Sequence, residues 1–165
     1  MNYISNSKTN TLSKKITLVV LVAILLSCET ETKTESRQPK TKPIIGTWQL
    51  LSGTLIEKGD TTVTDYTQKV SFIKIINDTH FAFLQHDLQK GKDSAVFVAG
   101  GGSYSYNDSL YTEHLEYCSA REWEGNDFAF TITIKEDTLI QQGIEKIESE
   151  GINRMNIEKY VKVKQ

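Results

Sequence analysis

From Ile44 onward, apolar and polar residues alternate with a period of two, which is the repeat of a β-strand with one apolar face. The clearest case is the segment DFAFTITIK at residues 127–135, which places its phenylalanines and isoleucines on one face and its threonines on the other. No window of about twelve or more residues in this region shows the repeat of an amphipathic helix. This pattern predicts an all-β chain and excludes folds built on helices.

Turn residues divide the alternation into eight predicted strands. Asn107-Asp108 and Glu136-Asp137 are typical of tight turns between neighbouring strands. Both prolines precede the first strand, so no predicted strand is interrupted by proline. The predicted strands are residues 45–51, 70–76, 80–86, 94–106, 110–118, 127–135, a seventh from 139, and 152–163.

Antiparallel strands with one apolar face form either a sandwich or a closed barrel. We expect the barrel, because closure removes exposed sheet edges and about eight strands enclose side chains or one small ligand. Gly100, Gly101 and Gly102 fit a sharp bend of a long strand, where a barrel corner has no room for a side chain. The predicted fold is an eight-stranded antiparallel up-and-down barrel.

The N-terminus predicts a secretory signal. Lys8, Lys14 and Lys15 precede the apolar run ITLVVLVAILL, which is shorter than the about 20 residues that span a membrane. The run ends at Leu-Leu-Ser-Cys28, which resembles the lipobox of bacterial lipoproteins, and this resemblance implies cleavage before Cys28 and acylation of that cysteine. Two or three acyl chains would hold the protein on a membrane. The lysines, the short apolar run and the lipobox-like end together predict a signal peptide at residues 1–27.

Residues 28–43 are predicted to be the lipidated cysteine and a flexible tether. The sequence ETETKTESRQPKTK contains no large apolar residue that could offset the entropy of ordering. Its early glutamates loosely resemble a surface-export signal of Bacteroidetes lipoproteins. The sequence agrees with placement of the anchored protein on either the periplasmic side or the surface side of the outer membrane. The barrel domain is assigned to residues 44–165.

Several segments resemble a known family. Gly46-x-Trp48 is similar to the GxW signature of lipocalins, in which the tryptophan closes the barrel floor. The longer pattern comprises residues 45–50, 73–76, 79–81, 101–104, 111–117 and 158–162. In order and spacing it resembles the small lipocalin-like proteins of Bacteroidetes, which carry GTWKL, KIIT-THF, GGTYTL, YTE-IEY and E-x-W-x-R. Tyr160 and Lys162 stand where that family often has Trp and Arg. The resemblance implies a calycin-like barrel.

Composition excludes several function classes. The first 27 residues hold three of the 19 basic residues and none of the 21 acidic ones, so the rest carries 16 against 21, a formal charge of −5. An acidic chain does not suit nucleic acid, whose phosphates require a basic face. Two cysteines and no CxxC argue against a disulfide scaffold and the common zinc modules. Motifs for hydrolases, phosphate loops and EF-hands are absent from the sequence.

An aromatic-rich face and one acid are the candidate ligand-binding residues. On the predicted strands, alternation places all of these side chains on the face expected to point into the barrel: Trp48, Phe81, Phe83, Tyr111, Glu113, Tyr117, Phe128 and Phe130. A carboxylate among aromatic side chains must be paired, hydrogen-bonded or protonated. Glu113 is therefore either a ligand anchor or a structural partner of Lys74, Arg154 or tyrosine hydroxyls.

The remaining reactive residues favour neither a metal nor a catalytic site. His80 and His86 are six residues apart, about 20 Å along a strand, so they cannot bind one ion unless the strand is broken, and a pairing of His114 with either one across strands stays an alternative. Cys118 and His114 are four residues apart, about 13 Å, too far for a nucleophile and its base. Trp123 lies in a longer connection and is either a partner surface beside Arg121 or a lid on the barrel.

Three hypotheses follow. The first is a lipid-anchored barrel that binds a small apolar or amphipathic molecule at the cell envelope, with no cofactor and no metal. The second is a protein-interaction module, an inhibitor or assembly factor with a solid barrel and another envelope protein as partner. The third, an enzyme, is the least favoured because no convergent catalytic set appears.

Overall fold

The structure is a computed structural model that describes residues 42–164. It contains nine strands and one short 3₁₀ helix, Arg121–Trp123. The strands are β1 (Gly46–Glu57), β2 (Asp60–Asp65), β3 (Val70–Ile76), β4 (His80–Asp87), β5 (Phe97–Asn107), β6 (Leu110–Cys118), β7 (Asp127–Lys135), β8 (Thr138–Ile147) and β9 (Ile152–Lys162). The predicted signal peptide, Cys28 and most of the tether lie outside the described residues. Within residues 42–164, no helix has both the length and the apolar character needed to cross a bilayer.

The predicted eight-stranded antiparallel barrel is confirmed. β1 and β3–β9 pair in sequence order, and β9 returns to pair with β1 from Trp48–Lys162 to Ile56–Met155. Closure follows from the one-sided alternation of the strands, because it buries all the apolar faces against one another.

β2 is an additional strand that the sequence pattern did not predict. It pairs with the second half of β1 through a tight turn at Lys58-Gly59, where both residues have positive φ. Its sequence, DTTVTD, has no apolar face, and every residue of the strand is exposed. The alternation criterion therefore had nothing to detect, and the extra strand stays outside the eight that close the barrel.

The barrel has two halves, which we call the closed half and the open half. The closed half contains the first residues of β1 and the turns after β3, β5 and β7. The large side chains buried most completely belong to it or to its boundary: Ile44, Trp48, Leu50, Tyr111, Leu139, Gln141 and Tyr160. The open half contains the turns after β1, β4 and β8 and the longer connection after β6.

Trp48 seals the closed half, as the resemblance to lipocalins implied for this position. Its side chain is 1% exposed, and its indole N–H donates to the Ile44 carbonyl at 2.7 Å. The Lys162 ammonium lies 5.3 Å from the centre of the indole ring. Lys162 thus contacts the tryptophan by a cation–π interaction.

The glycines of β5 allow the strands to approach closely. The pairing with β6 shifts register between Gly101 and Gly102. A Cβ at Gly101 would lie 2.5 Å from the Phe81 carbonyl oxygen, and one at Gly102 would overlap the His114 carbonyl. The prediction that this place has no room for a side chain is confirmed, and the irregularity is a β-bulge.

This bulge corrects the predicted interior position of Tyr117. Gly101 lies opposite Tyr117 and Gly102 opposite Leu115, so Glu116 is an extra residue on β6. The extra residue reverses the alternation beyond it. Tyr117 is consequently 68% exposed on the outer face, whereas Cys118 turns towards the interior.

Candidate functional site

A cavity of about 260 Å³ occupies the open half of the barrel. All eight strands of the closed barrel contribute side chains to it, and β2 adds Thr64. Its apolar wall consists of Leu55, Phe72, Phe83, Val98, Leu115, Trp123, Phe128 and Phe130. Its polar lining includes Lys74, Glu113, Gln141, Glu145, Arg154, Asn156 and Glu158.

Four polar side chains form the floor of the cavity, and we call them the floor cluster: Lys74, Glu113, Gln141 and Glu158. The Lys74 ammonium lies 2.8 Å from a Glu113 oxygen and donates to the Gln141 amide oxygen at 3.0 Å. It is 3.7 Å from Glu158. Below it are the rings of Phe81 and Tyr160, so the cluster separates the cavity from the closed half.

Burial and charge set the protonation of the floor cluster. Burial alone would lower the pKa of Lys74, but Glu113 and Glu158 together outweigh it and raise that pKa. The lysine is therefore held as a cation. For Glu113 burial dominates and raises the pKa, although Lys74 opposes the shift. In the floor cluster one basic side chain, Lys74, thus faces two acidic side chains, Glu113 and Glu158.

A second group of three residues lines the wall, and we call it the wall cluster: Glu145, Arg154 and Asn156. Arg154 Nε donates to one Glu145 oxygen at 2.7 Å, and the Asn156 amide donates to the other at 2.7 Å. Both carboxylate oxygens are therefore occupied. The Arg154 guanidinium also lies 5.1 Å from the centre of the Trp123 ring.

The Tyr111 hydroxyl is the one buried side-chain polar atom within residues 42–164 that has no hydrogen-bond partner. It lies beside Glu113, and burial together with that carboxylate raises the pKa of Tyr111, so the hydroxyl stays protonated. The neighbouring Tyr160 hydroxyl differs, because it donates to Glu158 at 2.7 Å. An unpaired buried hydroxyl costs free energy unless something binds it.

Aromatic side chains form the upper wall. Phe72 and Phe83 stack with ring centres 5.8 Å apart, and Trp123 packs on Phe128 at 5.7 Å. Trp123 is half-buried and reaches the cavity from the 3₁₀ helix after β6. The sequence left two interpretations of Trp123, a partner surface or a lid on the barrel, and this position agrees with the lid.

The structure divides the candidate ligand-binding residues into three groups. Phe83, Glu113, Phe128 and Phe130 line the cavity. Trp48, Phe81 and Tyr111 are buried in the closed half below it. Tyr117 is on the outer surface. Of the proposed partners for Glu113, Lys74 is the one that pairs with it, whereas Arg154 pairs with Glu145.

The histidines lie outside the barrel. His80 and His86 are exposed, and His114 Nδ1 lies 2.8 Å from Asp127 on the outer face. In the described part of the chain, no three His, Cys, Asp or Glu side chains converge as metal ligands would. Cys118 is a free thiol that borders the cavity.

Sequence reasoning missed most of the polar lining. It named Arg154 only as a partner for Glu113, and it did not single out Glu145, Asn156 or Glu158. A signal was available on the last strand, where Arg154, Asn156, Glu158 and Tyr160 alternate. Their shared parity with the buried Tyr160 places polar side chains inside a barrel, which is the pattern of a polar cavity.

Two comparisons with known proteins found no relative: no protein-family model matches the chain, and no curated protein matches it. The fold and the cavity therefore define the class. The chain is a closed up-and-down β-barrel with one extra strand, a fold compatible with a lipocalin-like ligand-binding barrel.

Proposed function

We propose that the chain is a lipocalin-like lipoprotein of the bacterial cell envelope that binds a small amphipathic molecule in the open half of its barrel. The cavity of about 260 Å³, open to solvent at one end and lined by both aromatic and charged side chains, carries the proposal. Binding sites for small molecules are concave, mostly apolar, and contain a few convergent polar groups.

The size of the cavity limits the ligand. Since a dry cavity of about 150 Å³ accepts benzene, a cavity of about 260 Å³ accepts a molecule of roughly ten heavy atoms. The apolar wall would hold its body, and the floor cluster would hold its polar end.

The proposed anchor is the acylated Cys28, which lies outside the described residues. An apolar run with basic residues before it and a cysteine directly after it supports this proposal. The resemblance to Bacteroidetes proteins supports an outer-membrane location.

Native mass spectrometry of the full chain, extracted from the membranes of its own host in mild detergent, tests the binding function. We expect a discrete adduct beyond the acyl chains. Val98→Trp fills the cavity, and the adduct should then disappear. Val63→Trp is the matched control, because Val63 is exposed on β2 and the adduct should persist. An adduct that is absent, or equal in both variants, would contradict the proposal.

The anchor is tested separately by metabolic labelling with radioactive palmitate. Cys28→Ser should abolish labelling and release the protein from the membrane fraction. Cys118→Ser is the control, since that thiol is part of the barrel. Labelling that survives Cys28→Ser would refute the anchor.

A second candidate function is a protein-interaction module. Its support is an apolar patch on the outer face, where Phe97 is 70% and Tyr117 is 68% exposed, and Leu84 lies opposite Ala99 between them. Exposed aromatic residues are typical of partner surfaces. Crosslinking in intact envelopes should then give one stoichiometric product that the double variant Phe97→Ser/Tyr117→Ser loses.

A further inference from the structure

The floor of the cavity has more acceptors than donors and more negative than positive charge. Five charged residues line the cavity: Lys74, Arg154, Glu113, Glu145 and Glu158. Two cations therefore face three carboxylates. The excess charge lies at the floor, because Arg154 and Asn156 saturate Glu145 in the wall cluster.

The floor cluster also retains free acceptor positions. Lys74 uses its ammonium on Glu113 Oε1 and Gln141, and it approaches Glu158 no closer than 3.7 Å. Glu158 Oε2 accepts from Tyr160. The contacts of Lys74 are therefore with Glu113 Oε1 and Glu158 Oε2, and it leaves Glu113 Oε2 and Glu158 Oε1 without a hydrogen bond from its ammonium.

The third observation concerns Tyr111. Tyr111 is fully buried, and its hydroxyl has no partner in the described part of the chain. It lies beside Glu113 at the boundary of the floor. A buried aromatic hydroxyl without a partner therefore lies next to the floor, where an unpaired polar group is costly. The two carboxylate oxygens that Lys74 does not bond belong to Glu113 and Glu158, which both line the cavity.

From this arrangement we infer that the ligand carries a single ammonium group, which binds at the floor between Glu113 and Glu158, with an apolar body against the aromatic wall. This inference rests on the proposed binding function and names the chemical class of its ligand. An ammonium supplies both the missing charge and the missing donors, whereas a carboxylate would add a fourth negative charge.

Three probes with the same eight-carbon body test the head group: octylamine, 1-octanol and octanoate. Binding to the full chain is measured by isothermal titration at neutral pH. We expect octylamine to bind at least about tenfold more tightly than octanol, as one charge-assisted hydrogen bond allows. Octanoate should bind most weakly. Equal affinities, or tightest binding of octanoate, would overturn the inference.

A charge-neutral variant locates the head group. Glu158→Gln keeps an oxygen that can accept from Tyr160 but removes the charge, and its side chain is 16% exposed, so the fold should tolerate it. Octylamine affinity should fall about tenfold while octanol affinity stays unchanged. Glu122→Gln is the matched control, because Glu122 is exposed on the 3₁₀ helix. Unchanged octylamine affinity in Glu158→Gln would contradict the placement.

The inference and the proposed function can fail separately. If native mass spectrometry shows an adduct but octylamine has no advantage, the cavity binds a ligand of another class. If the adduct is absent and none of the three probes binds, both the inference and the binding function are wrong.

Discussion

The closed and open halves of the barrel are built by the same eight strands but filled differently. In the closed half, Trp48, Leu139 and Tyr160 are at most 2% exposed. In the open half the same strands carry Lys74, Glu113 and Arg154 around about 260 Å³ of space. Dense apolar packing stabilises a fold, whereas a polar cavity contributes less stability for the same number of residues. The difference indicates that the closed half contributes more to the stability of the barrel than the open half, which contains the proposed binding site.

The two tryptophans give the largest expected contrast. Trp48→Ala removes a fully buried ring from the closed half and should cost about 4 kcal/mol of unfolding free energy. Trp123→Ala removes a half-buried ring from the rim and should cost about 1 kcal/mol. Urea denaturation followed by circular dichroism measures both. Equal losses would mean that the halves contribute alike to stability.

The buried ion pair gives the next largest effect. Lys74→Met leaves Glu113 buried without its cation and should cost about 3 kcal/mol in the same denaturation experiment. The double variant Lys74→Met/Glu113→Leu should recover most of that loss, because an apolar pair can replace a buried ion pair. A double variant as unstable as the single one would show that the pair itself stabilises the barrel.

Removal of the hydroxyl should destabilise the protein at only one of the two buried tyrosines at the boundary. Tyr111→Phe removes a hydroxyl without a partner and should leave the unliganded protein unchanged or up to about 1 kcal/mol more stable. Tyr160→Phe removes the donor to Glu158 and should cost about 1 kcal/mol. Thermal unfolding of ligand-free protein compares them. Destabilisation by Tyr111→Phe would show that the hydroxyl is bonded after all.

The smallest effect concerns a loop at the open end. Asp87 accepts from the Gly91 amide at 2.7 Å and from Val96 at 3.1 Å, and these bonds hold its pKa below 3.8. A lowered carboxyl pKa stabilises the loop above pH 3.8, and that support is lost as the pH falls through the folded-state pKa. NMR should show the Gly91 amide titrating with a midpoint below 3.8.

The turn after β3 is the matched control at the closed end. There the uncharged Asn77 side chain accepts from Thr79 and His80 amides, so no carboxyl in this contact titrates. Asp87→Asn should abolish the acid titration of Gly91. A Gly91 midpoint above 3.8 would contradict the proposed loop contact.

Much of the fold was predictable because one-sided alternation directly reports burial. The eight barrel strands and the seal formed by Trp48 follow from the pattern and the family resemblance. β2 could not be predicted, since DTTVTD has no apolar face. Tyr117 was misplaced because a single-residue bulge, visible only through pairing with β5, reverses the alternation.

The candidate site was less predictable than the fold. Glu113 was recognised as an unusual interior acid, and Lys74 was among its suggested partners. The contacts of Glu145 with Arg154 and Asn156 join the neighbouring strands β8 and β9, and contacts between strands depend on register rather than on local sequence. The existence of a cavity depends on how side-chain volumes add up, which alternation alone does not report.

The most direct test of the different roles of the two halves uses the indole signals of the two tryptophans, one in each half. NMR spectra of the full chain are recorded during titration with octylamine and, separately, with 1-octanol. The account predicts that a bound probe shifts the indole N–H signal of Trp123, at the cavity, and leaves that of Trp48 in place. Binding that shifts neither signal, or shifts Trp48 as much as Trp123, would contradict a ligand site confined to the open half.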